Sequence, residues 1–293
     1  MNKNTFKTFV LLAGLGGAAV AIGGLFGAGG AMIGFAIGLA MVGGSYWFSD
    51  KLALKAAGAK IVEEHEAPEL YGIVRSLADR AGMPMPRVAL SPAMQPNAFA
   101  TGRSPSKAVV CATQGLLTLL PRDEVEGVMA HELSHVRHND ILIGSVAAAI
   151  ATGISFISQM AMFSAMFGGR DREDANPMGT IVVAMVAPIA AGLIQASISR
   201  SREFDADRAA ARLLGDGESL ARALERIESA AARTPMAVPA TQASAWIHNP
   251  LAEVPGGRGQ QANARASTMA RRFSTHPPTE ERIRRLRERE WAR

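Results

Sequence analysis

Cysteine and aromatic residues are scarce in this 293-residue sequence: it has one cysteine, Cys111, and 5% aromatic residues. A single cysteine cannot form an internal disulfide, so a disulfide-rich secreted module is excluded. Charged residues make up 19% of the chain against 48% hydrophobic residues, a balance that excludes intrinsic disorder. The net charge of +5 is spread thinly, and no segment combines dense Lys and Arg with aromatic residues on which bases could stack. We therefore expect no nucleic-acid partner.

Charge is missing altogether from residues 8–49. That segment is long enough for two membrane-spanning helices of about 20 residues each. The cluster Gly27-Ala28-Gly29-Gly30 is the expected turn between them. Lysines flank both ends of the segment and the turn carries none, so the positive-inside rule places both ends in the cytoplasm. A cleaved signal peptide is the alternative, but its apolar core is only about 7–15 residues long.

Two further uncharged runs, residues 141–169 and 175–199, are separated by a short polar loop. Their length favours a second membrane hairpin, which could cross the bilayer or dip into it. A pair of buried core helices is the alternative. We therefore divide the chain into four parts: an N-terminal transmembrane hairpin (1–50), a first part of a soluble domain (51–140), the second apolar hairpin (141–200) and a second soluble part (201–293).

The soluble parts are predicted to be mainly α-helical with a small β-sheet. Apolar residues at helical spacing, with capping residues, predict helices over 67–81, 121–139, 201–214 and 218–232. Short β-prone runs between turn residues predict strands over 87–90, 98–101 and 108–113. Thr279 is expected to cap a final helix that reaches the C-terminus. Residues 233–274 are rich in Ala, Pro, Gly and Gln and are expected to form a long mobile segment.

The candidate chemistry is concentrated in the segment His131-Glu132-Leu133-Ser134-His135. Two histidines four residues apart lie on one face of a helix, so both imidazoles can reach one metal ion. Glu132 can hold the water at the open position of a zinc site and take its proton during attack on a peptide carbonyl. The motif predicts a catalytic site with one zinc ion per chain and Glu132 as the catalytic base.

A catalytic zinc site needs a third protein ligand. The extended metalloprotease motif is excluded, because His138 and Ile141 stand where it requires Gly and His. An intramembrane protease is excluded too, because charged residues surround the histidines. A Glu on a later helix remains: Glu203 is the expected ligand, and Asp207, four residues on, could hydrogen-bond the free nitrogen of a ligating imidazole. An ordinary solvated acidic face is the alternative.

The positions of these candidates constrain the topology. His135 lies just before the third apolar run and Glu203 just after the fourth. If both bind one zinc ion, the intervening chain crosses the membrane twice or not at all. The inferred hairpin meets this condition and places the site close to the bilayer surface.

Four motifs together resemble the HtpX-type membrane zinc proteases, bacterial relatives of the CAAX prenyl proteases of the Ste24 type. These motifs are His131 to His135, the Glu203 and Asp207 pair, Asn97 to Gly102, and Ser274 to Pro278. The resemblance implies a gluzincin-type protease domain attached to transmembrane helix hairpins, with zinc bound by His131, His135 and Glu203 and with Glu132 as the base. It also implies a multi-pass protein of the bacterial inner membrane, facing the cytoplasm, that cleaves damaged or misassembled membrane proteins.

Several weaker predictions stay open. His276 could stabilise the oxyanion of the tetrahedral intermediate, or it could serve only as a residue at the start of a helix. Arg282 is expected to pair with an acid rather than to reach the site. We expect a sheet edge at Asn97, Ala98, Phe99 and Ala100. It is either an edge strand that pairs with an extended substrate or an ordinary sheet edge.

The functional alternative is a membrane scaffold or regulator that binds zinc without proteolysis. Structural zinc sites are usually closed by four Cys or His ligands, and this chain has one Cys and two well-placed His. We therefore predict a protease. Its expected polypeptide substrates are unfolded proteins or membrane proteins. The sequence leaves the oligomeric state open.

Overall fold

The computed structural model describes residues 27–139, 201–231 and 277–292, together with the single positions 17, 20, 24 and 141. Four sequence predictions lie wholly or largely outside these residues: the first span of the N-terminal hairpin, the second apolar hairpin, the segment 233–274 and the role of His276. Among the residues that are described, no helix combines the length and the apolarity needed to cross a membrane.

Helix α1 spans Gly27–Ala56. The turn predicted at Gly27-Ala28-Gly29-Gly30 is wrong, because these residues form the first turn of α1. Glycine weakens a helix without forbidding it, and a helix satisfies the backbone polar groups of an apolar segment internally. Large apolar side chains are exposed along α1, namely Met32, Ile33, Phe35, Ile37, Leu39, Trp47, Phe48 and Leu52.

One mixed four-stranded sheet is found in the described part of the chain. Its strands are β1 (Lys60–Ile61), β2 (Arg87–Ser91), β3 (Ala98–Thr101) and β4 (Val109–Thr113). They lie in the order β1-β2-β4-β3; β2 and β4 run parallel, and the other two pairs are antiparallel. The three predicted strands are confirmed. The two-residue β1 was not predicted, because it is too short to show a periodic pattern.

The remaining helices surround this sheet. They are α2 (Pro68–Ala81), α3 (Gln114–Leu119), α4 (Arg122–Arg137), α5 (residues 201–214), α6 (Glu218–Ala231) and α7 (Thr279–Arg287). Short 3-10 turns cover Pro105–Lys107 and Glu290–Ala292. All four helices predicted between residues 67 and 232 are present, and α3 is an addition.

The prediction for the last helix is wrong at both ends. Pro278, not Thr279, occupies the N-cap position of α7, and no side chain caps the helix. Glu280 and Glu281 stand in the first turn instead, where carboxylates interact favourably with the helix dipole. The helix ends at Arg287, and Arg289 adopts a positive φ of 53° before the final 3-10 turn.

Both faces of the sheet are covered, since successive strand residues point to opposite sides. One face carries Val88 and Val110, which belong to the large core with buried residues of α2, α4, α5, α6 and α7. On the other face, Phe99 and Cys111 pack with Leu54 at the end of α1. Helix α4 therefore lies in the core, between α2, α6 and strand β3.

Candidate metal centre

Helix α4 begins where the sequence favours a helix start. Pro121 is the N-cap residue, and its carbonyl accepts hydrogen bonds from the amides of Glu124 and Val125. Asp123 and Glu124 occupy the first turn, where negative charge is favourable. Since α4 is packed on several sides, most residues in its second half are buried, including both His131 and Glu132.

Three potential ligand atoms meet beside α4. His131 Nε2 lies 3.1 Å from His135 Nε2. Glu203, on α5, places Oε2 3.5 Å from His131 Nε2 and Oε1 3.4 Å from His135 Nε2. Tetrahedral zinc with bonds of about 2.0–2.1 Å separates its ligand atoms by about 3.3 Å. The His131, His135 and Glu203 donor set therefore fits a zinc ion.

Asp207 binds the opposite side of the His131 ring. The Nδ1–H of His131 donates to Asp207 Oδ1 over 2.8 Å, so Nε2 is the ring nitrogen that faces the other ligand atoms and could bind a metal. Glu203 and Asp207 are one helical turn apart on α5, so the same helix face supplies a ligand atom and the acceptor that orients a ligand. The structure thus brings Glu203 and Asp207 to opposite nitrogens of the His131 ring.

The buried charges shift the pKa values of this pair. Burial alone would lower the pKa of His131, but the hydrogen bonds with Asp207 and Glu203 outweigh it and raise the pKa to about 9. Burial would raise the pKa of Asp207, but Arg282 and His131 lower it to about 2. In the metal-free protein, a charged imidazole is thus held between carboxylates.

Glu132 is buried in the middle of α4, between the two histidines in sequence. Its carboxylate is close enough to contribute to the pKa of Cys111, which burial raises above its ordinary value, and to the raised pKa of Arg282. A carboxylate next to metal ligands can accept a proton from a water molecule within hydrogen-bond reach.

Arg282 has a larger part in the site than the sequence predicted. It pairs with an acid, as expected, and that acid is Asp207: Nε and one Nη donate to the two carboxylate oxygens over 2.8 and 2.7 Å. The same Nη is 3.5 Å from His131 Nδ1, and the other is 3.9 Å from Glu203 Oε2. Arg282 thus reaches the site as well, which no local sequence pattern could indicate.

The predicted substrate strand coincides with β3, which lies at one end of the strand order and packs beside α4. Asn97 stands at its start, where its amide donates to Thr113 Oγ1 and its carbonyl accepts from the Thr113 amide. The side chains of Asn97, Ala98 and Phe99 are buried, whereas Ala100 is partly exposed.

Comparisons with known proteins agree with this geometry. The model of a family described as peptidase family M48 matches residues 64–290. The chain is 51% identical over 287 residues to a protein named Protease HtpX homolog from Thermococcus kodakarensis, covering 96% of this chain and 94% of the relative. It is 48% identical over 290 residues to one of the same name from Ralstonia pickettii, covering 97% and 96%.

A solved structure also resembles the chain. The crystal structure of S. mikatae Ste24p matches with a TM-score of 0.50 at 19% sequence identity. The match covers 86% of this chain and 56% of that chain, so this chain spans little more than half the length of the other. At this identity, the likeness concerns the fold alone: a mainly helical protein with a small mixed sheet.

Proposed function

The chain belongs to peptidase family M48 and is a metalloprotease, and from this premise we propose that His131, His135 and Glu203 bind one catalytic zinc ion. The observation that carries the proposal is the convergence of these three ligand atoms, within 4.8 Å of one another, from helices far apart in sequence. The proposal includes Glu132 as the catalytic base and Asp207 as the residue that orients His131.

Zinc, when bound, supplies a Lewis acid that lowers the pKa of water towards about 7 and polarises a peptide carbonyl. Glu132 takes a proton from the attacking water while the water oxygen bonds to the carbonyl carbon. It then gives that proton to the amide nitrogen as the C–N bond breaks. Asp207 accepts the Nδ1–H of His131 and so keeps Nε2 aimed at the site.

Peptide substrates follow from the family, and we propose that they bind as extended, unfolded segments. Strand β3 lies beside α4, and backbone pairing with its edge would select for extended chain rather than for particular side chains. Asn97 to Ala100 would supply this edge. Damaged or misassembled membrane proteins are the substrates we expect, because they expose such segments near a bilayer.

We further propose that the chain is a multi-pass protein of the bacterial cytoplasmic membrane, with its gluzincin-type protease domain facing the cytoplasm. The long uncharged runs, the flanking lysines and the exposed apolar side chains of α1 support this placement. The lipid bilayer is then a partner of the folded protein. His276 is kept as a proposed stabiliser of the oxyanion.

The direct test measures zinc content per chain and casein cleavage in detergent, for the native protein and three variants. We expect one zinc ion and cleavage in the native protein, and loss of both in Glu203→Ala. Glu132→Gln should keep zinc and lose cleavage, because it removes the base and not a ligand. Asp205→Ala, an exposed acid on the same helix, is the matched control and should change neither.

Two outcomes would contradict the proposal. Full zinc content in Glu203→Ala would mean that the third ligand lies elsewhere. A native protein that binds zinc and cleaves nothing would favour the zinc-binding scaffold over a protease.

A further inference from the structure

Arg282 is a fully buried cation whose position in the sequence gives no hint of the metal site. It lies on α7, and only 2% of its surface is exposed. The neighbouring arginines of α7 are exposed or partly exposed and pair with glutamates at the surface. Burying a guanidinium is costly unless it is paired and hydrogen-bonded, so a specific arrangement must offset that cost.

That arrangement is a two-point contact with Asp207. Nε of Arg282 donates to Oδ2 over 2.8 Å and one Nη donates to Oδ1 over 2.7 Å, which fixes the plane of the carboxylate. The same Oδ1 accepts the Nδ1–H of His131. The contact between Arg282 and His131 Nδ1, at 3.5 Å, adds no hydrogen bond, because the Nδ1 proton points to Asp207. Arg282 therefore acts on His131 through Asp207.

We propose that Arg282 is a positioning residue of the metal centre: its planar fork holds the Asp207 carboxylate in the orientation that aims His131 Nε2 at the zinc ion. A carboxylate held by one hydrogen bond can rotate about its Cβ–Cγ bond, whereas one held at both oxygens cannot. The inference rests on the proposed function, since it deepens the role of Asp207 in the same site. It also makes α7 part of the site.

Two simpler roles make different predictions. If Arg282 only balanced the buried carboxylates, any cation at this position would suffice. If it only held α7 in place, its loss would lower stability and leave the zinc affinity of the folded protein unchanged. Arg282→Lys separates these roles, because lysine keeps the charge and loses the fork.

The experiment uses the full chain in detergent. Zinc affinity is measured by competition with a chelator, and the visible absorption spectrum of the cobalt-substituted protein reports the geometry of the ligands without any turnover. We expect Arg282→Lys to lose about 10- to 100-fold in zinc affinity, the usual effect of removing a partner of a metal ligand, and to change the cobalt spectrum. Arg284→Lys, an exposed arginine of the same helix that pairs with Glu281, is the matched control and should match the native protein.

A double variant tests whether the effect passes through Asp207. If it does, Arg282→Lys combined with Asp207→Asn should bind zinc no more weakly than Asp207→Asn alone. Additive losses would overturn this route. Native affinity and a native cobalt spectrum in folded Arg282→Lys would overturn the positioning role, while a native protein without zinc would overturn the proposed function itself.

A second variant keeps the test decisive if Arg282→Lys does not fold. The zinc affinity of Arg282→Ala is measured with millimolar ethylguanidinium or ethylammonium. Ethylguanidinium carries the planar fork, whereas ethylammonium carries only a point charge. Recovery of zinc affinity with ethylguanidinium alone supports the proposal. Equal recovery with both, or none with either, contradicts it.

Discussion

At the scale of single residues, the protonation of His131 is decided by a competition between burial and its neighbours. Burial disfavours the imidazolium, but Asp207 and Glu203 favour it more strongly, and the pKa of His131 rises to about 9. Because a metal ligand must offer a free nitrogen, the proton on His131 competes with zinc below that pH. Asp207 thus favours the metal by orienting the ring and opposes it by stabilising the proton.

We predict that zinc binding to the metal-free protein at pH 7.5 releases about one proton from His131. The measurement is isothermal titration calorimetry in buffers of different ionisation enthalpy, since the apparent binding enthalpy then varies with the number of protons released. Asp207→Asn should reduce the release, because the neutral amide no longer raises the pKa of His131. A proton count that is the same in both proteins would contradict the electrostatic account.

The same pKa shift has a consequence for the stability of the metal-free protein. Protonated His131 stabilises the folded protein, because its folded-state pKa lies above the unfolded value of about 6.5. This stabilisation is complete when the pH is below about 6.5. It is lost as the pH rises through about 9, where His131 gives up its proton. Thermal unfolding of the metal-free protein should therefore show falling stability between these values.

At the scale of elements, the position of α4 depends on a close contact with the start of α6. A Cβ added to Gly127 would meet the Leu220 amide nitrogen at 2.9 Å and the Leu220 Cα at 3.0 Å. Both are backbone atoms that no side-chain rotation can move. Glycine is required here by the distance between two helices rather than by its backbone conformation.

We predict that Gly127→Ala destabilises the protein by about 1–3 kcal/mol, because overpacking outweighs the helix preference of alanine. Gly72→Ala on α2 is the matched control: nothing lies within 4 Å of its added Cβ. This variant should be neutral or more stable by about 0.5–1 kcal/mol. Chemical denaturation of the detergent-solubilised protein measures both, and equal effects of the two substitutions would rule out the contact as the cause.

The attachment of α7 shows which interactions hold an element. Arg287 binds Glu218 and Glu225 on α6, but these side chains are well exposed and such pairs contribute little. The buried contacts are more important, because Ile283 and Leu286 belong to the core. Apolar packing therefore places the helix that carries Arg282.

At the scale of the whole molecule, α1 combines two different surfaces. Leu54, near its end, packs on the sheet, while Trp47 and the large apolar residues before it are exposed. The guanidinium of Arg103, just beyond β3, lies 4.4 Å from the centre of the Trp47 ring. An aromatic ring beside cations, next to an apolar surface, is typical of the bilayer interface.

We predict that lipids brominated on their acyl chains quench the fluorescence of Trp47 in protein reconstituted into vesicles. Trp47→Phe should lose this quenched component, and the difference between the two proteins isolates Trp47 from the other two tryptophans. Trp291→Phe, far along the chain on the last 3-10 turn, is the control and should keep the component. Equal quenching in native protein and Trp47→Phe would contradict membrane contact at this position.

The sequence by itself determined the local features of this protein. The extents of α2, α4 and α6 followed from apolar spacing and capping residues, and three strands followed from β-prone runs between turns. Glu203 was expected because the other ligand patterns of zinc proteases were excluded. The candidate donors His131 and His135 followed as well, because a spacing of four residues brings side chains to one helix face wherever the helix lies. Such properties depend on neighbours in the chain, so a linear pattern records them.

The tertiary structure alone decided what depends on distant residues. It paired the short β1 with β2 and brought β3 beside α4. It also placed Arg282 against Asp207, 75 residues earlier in the chain, and so completed the group of charged side chains around His131. No periodicity encodes these contacts, because they arise only when packing of the core brings separate elements together.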